Sequence, residues 1–180
     1  PPEVGQKESA LLKKYDALYM GDPAKKKIYL TFDEGYENGY TGQILDTLRE
    51  KNVKAIFFIT GDFFNAETAL VRRMVEEGHE VGNHTMSHPS LPEVSRAKAE
   101  SDILELAKLF QGKFNREMRF LRPPKGEFSE DVLRLSNELS ERCLMWSFAY
   151  QDWLVNKQNG PAYALQKVTE NLHNGAVLLL

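Results

Sequence analysis

The residues best suited to chemistry are two histidines, His84 and His88, and an acidic pair, Asp33 and Glu34, that ends an apolar run upstream. Neutral imidazole is a common metal ligand. Two imidazoles and one carboxylate would hold a metal ion and leave positions open for water and substrate, as catalytic zinc sites do. The sequence therefore predicts an open metal site in which one acid binds the metal and the other takes a proton from water.

The two histidines also have a simpler interpretation, in which one packs at a strand end and the other is solvated. Pro89 disfavours helical backbone at His88, so the pair lies in a loop and not on a metalloprotease-type helix. The acidic pair upstream favours metal ligation, because it supplies the third ligand that a lone histidine pair lacks.

A stiff turn follows another apolar run, at Arg122-Pro123-Pro124-Lys125-Gly126. Prolines have no N–H, so the amide of Lys125 is the first free donor in the turn. A rigid free amide suits an oxyanion. Arg122 can hold a carboxylate, and Asp33 is the natural candidate. The alternative is a strand-ending loop with a surface ion pair.

A further carboxylate and a large flat side chain are adjacent at Asp152 and Trp153. Trp beside polar groups suits a sugar ring, although core packing is its more frequent use.

Composition limits the class of protein. The chain has 180 residues, of which 42% are hydrophobic and 27% charged, as in an ordinary single globular domain. A net charge of −3 argues against a general nucleic-acid binder. The single cysteine, Cys143, cannot form an internal disulfide.

Apolar runs alternate with amphipathic stretches along residues 28–180, after an N-terminal arm over 1–27. The predicted strands are 28–32, 55–60, 80–82, 118–122, 144–149 and 176–180. The predicted helices are 9–18, 41–51, 66–77, 95–111, 129–140 and 161–173. This alternation indicates an α/β fold with parallel strands, in a barrel or an open sheet. Both architectures place functional groups at the carboxyl ends of strands, where the motifs above fall.

Read in order, the motifs TFDEG (31–35), HTMSH (84–88), RPPKG (122–126) and QDW (151–153) resemble the polysaccharide deacetylases, carbohydrate esterase family four with the NodB-homology domain. The resemblance covers nearly all of residues 28–180 and is strongest to the subgroup that removes acetyl from N-acetylmuramic acid during formation of muramic δ-lactam in spore cortex. It implies a distorted (β/α) barrel.

The resemblance also implies roles for individual residues. Asp33 would be the general base, held by Arg122, and Asp152 would tune a general-acid histidine. A divalent metal, zinc by preference, would be bound by Glu34, His84 and His88. The substrate would contact Pro123, Lys125 and Trp153, with the Lys125 amide receiving the oxyanion.

Three departures from the family pattern stand out. Glu34 occupies a position that is usually Asp, and Lys125 replaces the usual Tyr. We hypothesise that the Lys125 ammonium recognises the lactyl carboxylate of muramic acid. The family's general-acid histidine follows the last apolar strand, and this sequence stops at Leu180, so we expect a catalytic domain that is incomplete at its C-terminus.

The sequence thus predicts a metal-dependent deacetylase of N-acetylmuramic acid in peptidoglycan. The alternatives are deacetylation of N-acetylglucosamine in chitin or peptidoglycan, or a non-catalytic glycan-binding relative. We expect a monomer that acts outside the cytoplasm on a glycan strand, without nucleic acid, and that meets a membrane only through an anchor upstream of this sequence.

Overall fold

The computed structural model describes residues 6–154 and 156–180, which form a curled parallel half-barrel with helices on its outer face. Its seven strands are ordered β5-β4-β3-β2-β1-β7-β6, and every neighbouring pair is parallel. The strands are β1 Ile28–Glu34, β2 Ile56–Ile59, β3 Glu80–Asn83, β4 Phe120–Leu121, β5 Arg142–Cys143, β6 Phe148–Ala149 and β7 Ala176–Leu179. The predicted distorted (β/α) barrel is confirmed.

Amphipathic helices cover the strands. They are α1 Gln6–Lys14, α2 Thr41–Glu50, α3 Gly61–Ala66, α4 Thr68–Glu76, α5 Arg96–Phe114, α6 Glu130–Glu138 and α7 Pro161–Glu170. Serine side chains begin two of them as expected for N-caps, since Ser95 accepts from the Lys98 amide and Ser129 from the Val132 amide. Among the described helices, none has the length and apolarity needed to cross a membrane.

The two faces of β1 serve different layers, because successive side chains of a strand point to opposite sides. Thr31 and Asp33 both receive hydrogen bonds from the Arg122 guanidinium. Phe32 packs in the main apolar core with residues of α2, and Glu34 contacts Thr41 at the start of α2. Asp33 therefore belongs to the inner face of the sheet and Glu34 to the helix layer.

The register brings the candidate residues to one edge. Glu34 pairs with Ile59, Ile59 with Asn83, and Asn83 with Leu121, so these four residues form one row across the sheet. His84 and Arg122 follow that row directly. Parallel pairing thus collects residues that are far apart in sequence at the carboxyl end of the sheet.

Of the predicted strand over 144–149, only Phe148–Ala149 forms a strand, β6; the preceding strand β5 ends at Cys143, and the two lie at opposite ends of the sheet. β5 pairs with β4, β6 pairs with β7, and residues 144–147 connect the two strands. An apolar run does not reveal which neighbour each part of it will meet. The short helix α3 was also not predicted; it begins where Thr60 accepts a hydrogen bond from the Phe63 amide.

The N-terminal arm packs against the barrel at the edge strand β5 and at the start of β7. The Leu18 amide donates to the Cys143 carbonyl at 2.9 Å, and the Gly21 amide donates to the Gly175 carbonyl at 2.7 Å. The arm therefore contacts both the β5 edge and the approach to β7. Residues 1–5 of the predicted arm lie outside the described residues, and the predicted boundary between 1–27 and 28–180 stays a prediction.

Candidate active site

Arg122 is the buried centre of the site. Its side chain is fully buried, and its guanidinium lies 4.2 Å from the centre of the Phe58 ring. It donates to the carbonyls of Leu144 (2.9 Å) and Met145 (3.0 Å), the Thr31 hydroxyl (2.8 Å) and Asp33 Oδ1 (2.8 Å). A charge buried this deeply is tolerated only when it is paired and hydrogen-bonded, and these contacts meet that condition.

Asp33 uses its two carboxylate oxygens for different neighbours. Oδ1 accepts from Arg122, and Oδ2 lies 3.7 Å from Nε2 of His84. The side chain is 21% exposed, so water can reach a carboxylate whose orientation the protein fixes. The structure thus contains the Arg122–Asp33 ion pair that the sequence predicts, and places a histidine beside it.

His84 is oriented by the backbone of the neighbouring strand end. Its Nδ1 lies 2.8 Å from the Arg122 carbonyl oxygen, and a carbonyl oxygen only accepts, so Nδ1 carries the proton. Burial lowers the pKa of His84, and the nearby Asp33 opposes that shift. In the neutral ring Nε2 is therefore unprotonated and faces Asp33.

His88 lies against His84 on a strained loop. The ring centres are 4.9 Å apart and nearly edge to face. Thr85 and His88 have φ of 68° and 55°, in the left-handed region that non-glycine residues seldom adopt. Burial lowers the pKa of His88 and the Lys125 ammonium lowers it further, while Asp33 raises it. The Lys125 ammonium is thus close enough to His88 to affect its protonation.

Polar residues without a predicted role hold this loop. The Asn83 amide group donates to the Ile103 carbonyl (2.9 Å) and to Glu141 (3.1 Å), and its oxygen accepts from the Thr85 amide (2.9 Å). Asp102 of α5 accepts from both the amide and the hydroxyl of Ser87. In the sequence, Asn83 could have been found because it directly precedes the candidate ligand His84. Nothing in the sequence around Asp102 indicates its role.

The histidines fit two positions of a divalent metal site, because both are neutral near pH 7 and adjacent. Their predicted third partner is not with them. Glu34 receives the Thr41 hydroxyl at 3.3 and 3.5 Å, on the helix side of β1. Among the described residues, no group of three His, Cys, Asp or Glu side chains is arranged to hold a metal ion. The structure therefore does not bring Glu34 into the ligand set that the resemblance implies.

The Glu34 carboxyl group is buried and lies near a second carboxylate. Burial raises the pKa of Glu34 to about 7, and the nearby Glu37 carboxylate raises it further, while the bond from Thr41 lowers it. A carboxyl group in this position carries a proton for much of the time at neutral pH.

The turn after β4 has the rigid geometry that the sequence predicts. Pro123 is buried, whereas Lys125 is exposed with φ of 59°. Gly126 has φ of +71°, and a Cβ at that position would lie 2.5 Å from the Trp146 ring. Among the hydrogen bonds of the described residues, none uses the Lys125 amide. The predicted role of that amide at an oxyanion stays a prediction.

Asp152 and Trp153 lie on the segment that follows β6. The Trp153 side chain is 56% exposed, and the Tyr36 hydroxyl donates to its carbonyl at 3.4 Å, joining the loops after β1 and β6. Burial raises the pKa of Asp152. No contact among the described residues joins Asp152 to Asp33 or His84, so its predicted catalytic role stays untested.

The carboxyl edge of the half-barrel thus brings together the Arg122–Asp33 pair and two adjacent histidines. The model of the polysaccharide deacetylase family matches residues 20–143. The chain belongs to this family.

The chain is similar to several individual members of this family. The chain is 39% identical over its whole length to the peptidoglycan-N-acetylmuramic acid deacetylase PdaA of Bacillus subtilis, covering 69% of it. The solved structure of PdaA, a family 4 carbohydrate esterase, superposes with a TM-score of 0.96 over 100% of this chain and 77% of that one. An uncharacterized protein of Geobacillus stearothermophilus is 45% identical, with 100% of this chain and 68% of that protein covered.

Proposed function

We propose that the protein removes the N-acetyl group of N-acetylmuramic acid in peptidoglycan by metal-dependent hydrolysis, as a step toward muramic δ-lactam. The observation that carries the hydrolytic part is the Arg122–Asp33–His84 arrangement at the carboxyl edge of the barrel. The sequence similarity to PdaA, which is named for this substrate, supports the choice of sugar.

In the proposed mechanism Asp33 is the general base that takes a proton from the attacking water. Arg122 fixes Oδ1 of Asp33 and leaves Oδ2 facing His84. The Lys125 amide, on a turn stiffened by two prolines, stabilises the negative charge that develops on the acetyl oxygen. Pro123 and Trp153 line the substrate side of the site, and Asp152 tunes the acid that protonates the leaving amine.

His84 and His88 would hold the metal ion, and zinc is our first choice. A bound divalent metal acts as a Lewis acid, which polarises a carbonyl and makes water more acidic. The unprotonated Nε2 of His84 and the neutral state of both rings suit this role.

Lys125 is our candidate for sugar recognition. Its side chain is exposed, and its positive charge lowers the pKa of His88. Among the described residues it has no ion-pair partner. N-acetylmuramic acid differs from N-acetylglucosamine by a lactyl carboxylate, which a free ammonium can bind. We propose that the enzyme acts outside the cytoplasm as a monomer on a glycan strand.

Two observations favour alternative functions that experiment can distinguish. A Bacillus cereus relative named peptidoglycan-N-acetylglucosamine deacetylase is 34% identical over 142 residues, which favours that sugar as the second candidate. The separation of Glu34 from the histidines favours a glycan-binding protein without turnover as the third.

Acetate release from peptide-stripped peptidoglycan tests the activity. We expect release with zinc present, loss of release with a chelator, and a fall of about 100-fold or more for Asp33→Asn. Asp62→Asn, an exposed change on α3, should behave like the parent. Glycan binding without acetate release would overturn the hydrolase and support the binding protein.

Substrates with and without the lactyl group test the sugar. We expect Lys125→Met to lower the preference for N-acetylmuramic acid, whereas Lys113→Met, an exposed change on α5, leaves it intact. Equal discrimination by Lys125→Met and the parent would contradict the proposed recognition.

A further inference from the structure

The start of α2 depends on two carboxylates from outside the helix. Its N-cap residue, Tyr40, makes no side-chain capping bond. The Thr41 hydroxyl donates to Glu34 at 3.3 and 3.5 Å, and the Thr41 amide donates to Glu37 at 3.3 Å. The Thr41 amide at the helix N-terminus favours the negative charge of Glu37, whereas Glu34 serves as a hydrogen-bond acceptor for the hydroxyl. Glu34 and Glu37 together therefore hold the first residue of α2.

The histidines have a different acidic neighbour. Asp33 Oδ2 lies 3.7 Å from His84 Nε2, and Asp33 is the carboxylate whose charge acts on both imidazoles. No contact among the described residues joins Glu34 to either ring. Asp33 and Glu34 are consecutive in a strand whose register is fixed on both sides, so their side chains leave the backbone on opposite faces.

We propose that Glu34 is a positioning residue that fixes the loop between β1 and α2 through Thr41, and that it is not a metal ligand. The part that concerns metal rests on the proposed metal dependence. Glu34 is 8% exposed and Thr41 is 4% exposed, so their bond is formed away from water and is difficult to replace by hydration.

The loop that Glu34 fixes lies beside the candidate substrate-binding surface. Tyr36 and Tyr40 are each 62% exposed, and the Tyr36 hydroxyl contacts the Trp153 carbonyl. An anchored start of α2 sets where these rings stand. The side chain of Glu34, one methylene longer than the usual Asp, thus extends from the strand to the helix. It points away from the histidines.

Zinc titration by calorimetry tests the metal part on the full chain. The proteins compared are the parent, Glu34→Gln and His88→Gln. We expect Glu34→Gln to bind zinc within about twofold of the parent, and His88→Gln to bind at least about tenfold more weakly, because ligand loss weakens a metal site. A loss of affinity in Glu34→Gln as large as that in His88→Gln would overturn the inference.

Thermal unfolding tests the anchoring part without metal. Thr41→Val should lower Tm by about 2–4 °C in the parent, the effect of one lost hydrogen bond in a chain of this size. In a Glu34→Ala background the same change should cost almost nothing, since the partner is already absent. Thr47→Val removes an exposed hydroxyl bond within α2 and should have equal effects in both backgrounds.

The two measurements separate this inference from the proposed function. If the parent binds no zinc, the proposed metal dependence fails, and the unfolding experiment still decides the role of Glu34. Additive effects of Thr41→Val and Glu34→Ala on Tm would overturn the anchoring role, whatever the result of the zinc titration.

Discussion

The Arg122 guanidinium donates to the Asp33 carboxylate at 2.8 Å across 89 positions of sequence. Arg122 is fully buried, whereas Asp33 is 21% exposed, so the pair links the barrel interior to the solvent edge. The protein satisfies the buried charge with two carbonyls and a hydroxyl as well as the carboxylate. The orientation of the candidate base is therefore built into the core.

Replacing Arg122 should destabilise the fold as well as the site. Arg122→Gln leaves Asp33 and two buried carbonyls without their donor, so we expect a loss of about 3–5 kcal/mol in the free energy of unfolding. Urea denaturation measures it. Arg116→Gln, an exposed change after α5, should stay within about 0.5 kcal/mol of the parent. A stable Arg122→Gln protein would show that the buried network is dispensable.

Glu141 should make stability depend on pH. Burial raises the pKa of Glu141 from the ordinary glutamate value of 4.5 to about 8 in the folded state. The folded state then binds more protons than the unfolded state between those values, so this group's contribution falls as pH rises through that window. We expect Glu141→Gln, which mimics the protonated form, to remove a loss of order 1–3 kcal/mol between pH 5 and pH 8.

Unfolding curves at several pH values check this effect. The parent should lose stability relative to Glu141→Gln as pH rises, and the two should converge toward pH 5. Parallel pH profiles of the parent and the variant would contradict the buried, protonated state of Glu141.

Two glycine substitutions should have opposite effects. Gly126→Ala places a Cβ 2.5 Å from the Trp146 ring at φ of +71°, so we expect a loss of about 1–3 kcal/mol in the free energy of unfolding. Gly112 lies inside α5 with nothing within 4 Å of its added Cβ. Gly112→Ala should therefore gain up to about 1 kcal/mol from helix propensity. Thermal melts of both variants test the strain assigned to the turn.

The loop that carries His88 should loosen when Asp102 is changed. Asp102→Asn loses at least one of the bonds from Ser87 and Lys98, because an amide group accepts through one oxygen only. We expect zinc to bind about tenfold or more weakly and stability to fall by about 1–3 kcal/mol. Glu105→Gln, an exposed change on the same helix, is the matched control. Unchanged zinc affinity in Asp102→Asn would show that metal binding does not depend on how Asp102 holds this loop.

Local sequence patterns predicted much of the fold. Strand–helix alternation indicated parallel strands, and the parallel sheet does place His84 and Arg122 immediately after one row of paired residues. Serine caps and amphipathic stretches gave α5 and α6 nearly in full. These features depend on residues within one or two turns, which is the range over which capping and periodicity act.

The apolar run over 144–149 shows where this approach stops. Its composition suits one strand, but only Phe148 and Ala149 form one, beside β7, while Arg142 and Cys143 just before the run pair with β4 at the other end of the sheet. The neighbouring strand with which each residue pairs is set by the tertiary structure of the sheet. The composition of the run does not contain that information.

By itself, then, the sequence indicated parallel α/β architecture and the residues at its carboxyl edge, because motifs and periodicity are local, and its resemblance to a family implied the barrel. Only the tertiary structure decided that Arg122 is fully buried while Asp33 stays partly exposed, that Asn83 and Asp102 hold the histidine loop, and that Glu34 faces α2. The physical reason is that side-chain direction follows from strand register and long-range hydrogen bonds. Asp33 and Glu34 are adjacent in sequence, and the pleat of β1 sends them to different layers.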